Sequence, residues 1–156
     1  MPFHKRLTDS FNKLPDGVTR DFFISVINNE AQKAAAILSR HPDAPHFRDG
    51  GGNTPLMVAV LFGEAHGKII DLLLENGADV NAQNSHGGNA LARAAQFGHL
   101  SLVKKLLEYG ADAHMKDASG RDAADWANGN GRADIAILLL SSQKAPPRQT
   151  PPQNKP

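Results

Sequence analysis

Cysteine is absent from the 156 residues. That excludes a disulfide framework, a thiolate nucleophile and any zinc site built on cysteine, and leaves the redox compartment undecided. Aromatic residues are scarce at 6%, with a single tryptophan and a single tyrosine, so few large side chains are available to fill a thick core. The 22 alanines point to a core of small pieces, in which helices approach closely and each residue buries little area. Long apolar runs are missing as well. No stretch nears the ~18 consecutive apolar residues of a membrane span, and the N-terminus lacks the apolar stretch of a signal peptide. No membrane span is expected and the cytoplasm is the default compartment, with a secreted effector as the alternative.

Net charge is also nearly absent, with 17 basic residues against 16 acidic ones. The ends are basic: Lys144, Arg148 and Lys155 stand in the last sixteen residues without an acid, while the middle of the chain is mildly acidic. A nucleic-acid binder gathers its positive charge on one face of a folded domain, so this distribution argues against nucleic acid as a partner.

What is present is a repeat. Gly77-Ala78-Asp79 recurs as Gly110-Ala111-Asp112, 33 residues on. Leu73-Leu74-Glu75 matches Leu106-Leu107-Glu108, and Phe62-Gly63 matches Phe97-Gly98. A further step of 33 carries Asn89, Ala94 and Gly98 onto Asp122, Ala127 and Gly131. Thr54, Asn89 and Asp122 hold equivalent places, and each has a side-chain oxygen that can accept from a free amide in a first helical turn. Pro55 follows at the position where a missing N–H is not needed. Gly63, Gly98 and Gly131 end a short first helix, and Gly77 and Gly110 end a second. Helices of two to three turns are marginal alone, so neighbouring units must supply their stability.

The second helices place Ile70, Leu73 and Leu74, then Val103, Leu106 and Leu107, then Ala136, Leu139 and Leu140 on one apolar stripe. Residues 20–40 fit the template loosely through Phe22, Val26, Ala34, Ile37 and Leu38, with His41-Pro42-Asp43 where glycine stands later. The pattern resembles the ankyrin repeat, carried by Thr54-Pro55-Leu56-Met57-Val58-Ala59, by Gly98-His99 and by Gly77-Ala78-Asp79-Val80-Asn81. The resemblance implies an all-α ankyrin-repeat solenoid over 16–141, in units of 16–48, 49–83, 84–116 and 117–141. Met57, Ala92 and Asp125 replace the histidine of the signature, and unit two carries two extra residues near Glu64-Ala65, where irregular geometry is expected.

The flanks differ. Phe3, Leu7, Phe11 and Leu14 recur at helical spacing, so 1–15 reads as an amphipathic helix capping the stack, a membrane-surface helix being the alternative. Residues 142–156 are proline-rich and without apolar periodicity, as in a disordered tail.

Catalysis has little support. Gly63-Glu64-Ala65-His66-Gly67-Lys68 is one residue short of a phosphate loop and lacks the following Ser or Thr. The seven histidines show no zinc-motif spacing beside a third ligand, and no motif presents a serine nucleophile. No enzyme, catalytic residue, metal or cofactor is expected. Asp79 and Asp112 read as loop residues bonding nearby amides. What remains is surface. The resemblance implies that finger loops and the first helices contact a partner protein, which nominates Asn53, Ser85, His86, Ser119 and Arg121 on fingers and Leu61, Phe62, Gln96, Phe97 and Asn130 on helices. Arg93 and Trp126 share a neighbouring column. Phe62 and Phe97 stand outside the Leu/Ala stripe and are expected as exposed aromatic anchors. The implied activity is that of a monomeric adaptor or scaffold, with a stoichiometric enzyme inhibitor as the alternative.

Overall fold

The computed structural model describes residues 17–142; the N-terminal helix expected over 1–15, and the tail beyond Ser142, lie outside the described residues. Among them no strand occurs and eight α-helices follow one another: α1 Gly17–Ile27, α2 Ala31–Arg40, α3 Pro55–Val60, α4 Gly67–Glu75, α5 Ala90–Phe97, α6 Leu100–Glu108, α7 Ala123–Gly129 and α8 Ala133–Ser142. Each odd-numbered helix packs on the even-numbered helix that follows it, and α1, α3, α5 and α7 stack in order along one side. The all-α solenoid that the resemblance implies is the architecture observed.

The caps form where the sequence places them. Thr54 accepts from the Met57 amide at 3.3 Å and Asn89 from the Ala92 amide at 2.8 Å, satisfying donors that a helix start leaves open. Asp122 accepts from the Asp125 amide at 3.0 Å, and Asp125 answers by accepting from the Asp122 amide at 3.1 Å. Where the family signature has histidine, Asp125 thus completes a reciprocal cap. At the far end of α6, Gly110 takes a φ of +86°. Between α1 and α2 the same left-handed turn falls to Asn29, with φ +57°, a residue type that tolerates this region better than most. Its amide group donates to the Ala65 carbonyl of the next unit at 2.9 Å.

Small residues close the inner layer: Ala59, Ala94, Ala95 and Ala127 are completely buried. Larger side chains concentrate in α1, where Phe22, Phe23, Val26 and Ile27 are buried, and in Ile70, Leu73, Val103, Leu106 and Leu139 of the outer helices. The stripe proposed for those helices needs one correction. Leu74 is buried and Leu107 half-buried, but Leu140 is 52% exposed. The position is covered only when another unit lies beyond it, and no described residue follows α8. In its place Ile69, Leu102 and Ile135 are buried.

The two extra residues of the second unit form a 3-10 turn, Gly63–His66, the irregularity anticipated there. Buried within it, His66 sets Nε2 3.1 Å from the Ile27 carbonyl oxygen and so ties the first unit to the second. On the outer side Glu64 accepts from the Ser101 hydroxyl, and Lys105 pairs with Asp71. The Ser101 bond, chiefly, holds the Glu64 carboxyl below its ordinary pKa.

Candidate protein-binding face

The finger loops share a device that does not depend on glycine alone. Asp49 Oδ1 accepts from the Gly51 and Asn53 amides, Asn84 Oδ1 from those of His86 and Gly88, and Asp117 Oδ1 from those of Ser119 and Arg121. A short polar side chain that folds back in this way mimics a backbone turn. Successive fingers are then joined by backbone bonds, Ser85 N to Gly51 O at 3.1 Å and Ala118 N to His86 O at 3.0 Å. Gly87 lets the second pair approach: its φ is +73°, and a Cβ there would stand 2.9 Å from the Ala118 nitrogen and from the Asp117 Cα. The column Asp49, Asn84, Asp117 was missed, although its spacings of 35 and 33 follow the same insertion as the caps.

Between the fingers and the inner helices lies a groove of about 280 Å³. Of the residues nominated from sequence it gathers Leu61, His86, Arg93, Gln96, Phe97 and Trp126; Asn84, Gly88, Asn89, Ala92 and Asp117 line it as well. Asn89, read from the repeat as a cap, and Ala92, which stands where the signature has histidine, meet there in the cap bond from the Ala92 amide to Asn89. The other nominees sit around it or away from it. Ser85, Ser119 and Asn130 are exposed, and Asn130 donates to the Trp126 carbonyl at 2.8 Å. Asn53 is occupied within the fold, as described next.

Arg93 and Trp126 dominate the groove chemically. Arg93 Nη2 donates to Asn53 Oδ1 at 2.6 Å, and Asn84 Nδ2 donates to the same oxygen at 2.8 Å. Burial pulls the guanidinium below its ordinary pKa, and the negative charge of Asp49 opposes that pull. Trp126 Nε1 donates to Asp117 Oδ2 at 2.8 Å while the Arg121 guanidinium lies 3.7 Å from the indole centroid. The ring is therefore fixed at its polar edge and covered on one face by a cation. Asp117 is 10% exposed and accepts from four donors, with the Arg121 Nε as an ion-pair partner at 3.9 Å. The Ser119 hydroxyl foremost, with the Arg121 amide and the indole N–H, lowers its pKa to about 2.

The two phenylalanines part company. Phe97 is 45% exposed and lines the groove. Phe62 is half-buried against the core and stacks on the His66 ring, centroids 4.3 Å apart, away from the groove. The expectation that Phe62 is an exposed anchor is thus corrected, because the inserted 3-10 turn supplies a histidine ring for it to cover. Asp79 and Asp112 each accept from the amide two residues on, at 2.9 and 2.8 Å, as loop residues should.

A family model for ankyrin repeats, in three copies, matches residues 66–150. The chain belongs to the ankyrin-repeat family. This ankyrin-repeat protein is 42% identical over 93 residues to the E3 ubiquitin-protein ligase XBAT33 of Arabidopsis thaliana, which covers 59% of the chain and 18% of that relative. It is 34% identical over 116 residues, 73% of the chain and 23% of the relative, to the probable E3 ubiquitin-protein ligase XBOS32 of Oryza sativa subsp. japonica. Over 93 residues, 58% of the chain and 24% of the relative, it is 36% identical to the ankyrin repeat domain-containing protein 63 of Homo sapiens. The chain thus spans less than a quarter of these relatives, and the matches to the ligases cover only their ankyrin-repeat part. The family model begins at His66, beyond the first unit, where Asn29 and His41-Pro42-Asp43 stand in place of the usual glycines. Ankyrin repeats are non-catalytic and serve generally as protein-interaction modules. Among the described residues no group of three His, Asp or Glu side chains is placed to hold a metal ion, and no helix is long and apolar enough to cross a membrane.

Proposed function

We propose that this protein is an adaptor or scaffold that binds a partner protein in the groove between its fingers and inner helices. The observation that carries the reading is the grouping of Leu61, Phe97 and Trp126 around Arg93 in one concavity. Aromatic and arginine side chains that a partner can desolvate contribute most of the energy at protein interfaces. The fingers are pinned by side-chain bonds and by each other, so little ordering entropy is lost when the partner docks.

Affinity capture with the full chain, in parallel with a Phe97→Ala variant of equal melting temperature, tests this reading. A partner retained by the parent and released by the variant supports it; a partner held equally by both places the binding face elsewhere. A stoichiometric inhibitor would use the same face. It is separated by removing 142–156, which leaves inhibition intact but costs an adaptor that grips a second partner through its tail. A monomer is the proposed state, and light scattering of the purified chain checks it. The ubiquitin-ligase activity named for the plant relatives is not proposed for this chain.

A further inference from the structure

We infer that the groove recognises an extended peptide segment in which an acidic side chain stands close to a bulky apolar one, the carboxylate meeting Arg93 and the apolar group lying against Trp126 and Phe97. The inference rests on the binding role proposed above and names the chemistry of its occupant. Its basis is an imbalance between the two charges that line the groove. Asp117 is saturated, with two backbone amides, a hydroxyl, an indole N–H and the Arg121 cation around its carboxylate. Arg93 is not. Its half-buried guanidinium makes one hydrogen bond among the described residues, to the neutral Asn53 side chain, and the Asp49 charge reaches it without a direct ion pair, Asp49 being bonded to the Asn53 amide group instead. A guanidinium carries five N–H donors in a planar fork that matches a carboxylate in two places. A partly desolvated cation with donors to spare, facing a concavity, favours an anionic acceptor over a cationic or purely apolar ligand.

Side-chain carboxylates fit better than a chain terminus. Terminal carboxylates are captured by clusters of free backbone amides, and the amides bordering this groove are already engaged: those of His86 and Gly88 by Asn84, and that of Ala92 by Asn89. The apolar neighbour is required by the other wall, where the 45%-exposed Phe97 stands with the tethered indole of Trp126. Basic segments, the proline-rich tail of the chain among them, would bring like charge to Arg93.

The test is selection by the full-length protein from random twelve-residue peptides with acetylated and amidated ends, beside a second library with free C-terminal carboxylates. Expected is enrichment, in the blocked library, of Asp or Glu within about three positions of Leu, Phe or Trp. Arg93→Met should weaken the best blocked peptide at least tenfold with its melting temperature within a few degrees of the parent. Arg93→Lys, which keeps charge but not the fork, should fall between. Rising salt should weaken parent binding but not that of Arg93→Met. Should Arg93→Met fold poorly, Arg93→Lys together with the salt dependence decides. Acid enrichment confined to free C-termini, or unchanged in Arg93→Met, overturns the inference. Enrichment of neutral or basic peptides that Trp126→Ala abolishes also overturns it but leaves the groove as the binding face. No enrichment from either library by a folded protein removes both.

Discussion

The indole of Trp126 donates to Asp117 Oδ2 at 2.8 Å across nine residues, joining the last inner helix to the finger loop that precedes it. The same carboxylate holds the finger closed through the Ser119 and Arg121 amides. One acidic side chain thereby shapes a loop and orients the ring beside it. Protonating this carboxylate in strong acid should therefore loosen both.

The Asp117 carboxyl is lowered from 3.8 to about 2 in the folded protein. Its contribution to stability is full above about pH 5 and is lost as the pH falls through the folded value. Asp117→Asn keeps an oxygen for the amides, as Asn84 does in the preceding finger, but lacks the charge. The variant should be less stable than the parent at pH 7 and approach it near pH 2. Urea midpoints at pH 7, 4 and 2 check this; a gap that does not narrow with acid would show that the ionised form is not what matters.

Phe62→Ala and Phe97→Ala should behave as opposites. Removing the half-buried ring stacked on His66 should cost about 2 kcal/mol, less than the ~3–5 of a fully buried phenylalanine. Removing the exposed ring of Phe97 should cost under about 0.5 kcal/mol and weaken partner binding about tenfold or more. Chemical unfolding of both variants gives the comparison, and equal losses would contradict the assigned environments.

Two glycines with nearly the same backbone angle should respond differently to alanine. Gly110 has φ +86° and open space where an added methyl would stand, so Gly110→Ala meets only the left-handed penalty of about 1 kcal/mol. At Gly87, with φ +73°, the methyl would meet the backbone of the next finger at 2.9 Å. Gly87→Ala should cost at least about 2 kcal/mol and loosen the row of fingers. Thermal melts of the two variants decide; Gly87→Ala as mild as Gly110→Ala would mean that the fingers separate easily.

Asn29→Ala should cost about 1–2 kcal/mol, because it loses both the bond to Ala65 and a residue suited to its φ of +57°. Asn29→Gly keeps the backbone ease and forfeits only the bond, so it should cost less. Unfolding curves that rank glycine below alanine would refute this account of the first turn.

Much of the stack was readable in the chain because its signals are local. An N-cap needs only a side-chain oxygen three residues before the amide it receives, and Thr54, Asn89 and Asp122 all meet that condition. Periodic leucines mark a helix face however the helix is used. Burial at the end of a stack is different, since Leu140 has the pattern of Leu74 but no described neighbour to cover it.

The candidate site was legible in part. Arg93 and Trp126 could be placed in one column by counting, but not the bonds from Arg93 to Asn53 across 40 residues or from Trp126 to Asp117. Phe62 and Phe97 were indistinguishable by repeat position, and the insertion of two residues turned one onto His66 and left the other in the groove. The amino-acid sequence by itself determined the helix, turn, helix rhythm, the caps and the all-α solenoid, because short-range backbone chemistry recurs wherever the residues recur. Only the tertiary structure decided which aromatic is exposed, which carboxylate is saturated and which cation is left with donors to offer. Those outcomes depend on what neighbouring units bring within about 3 Å of one another, the distance at which hydrogen bonds form.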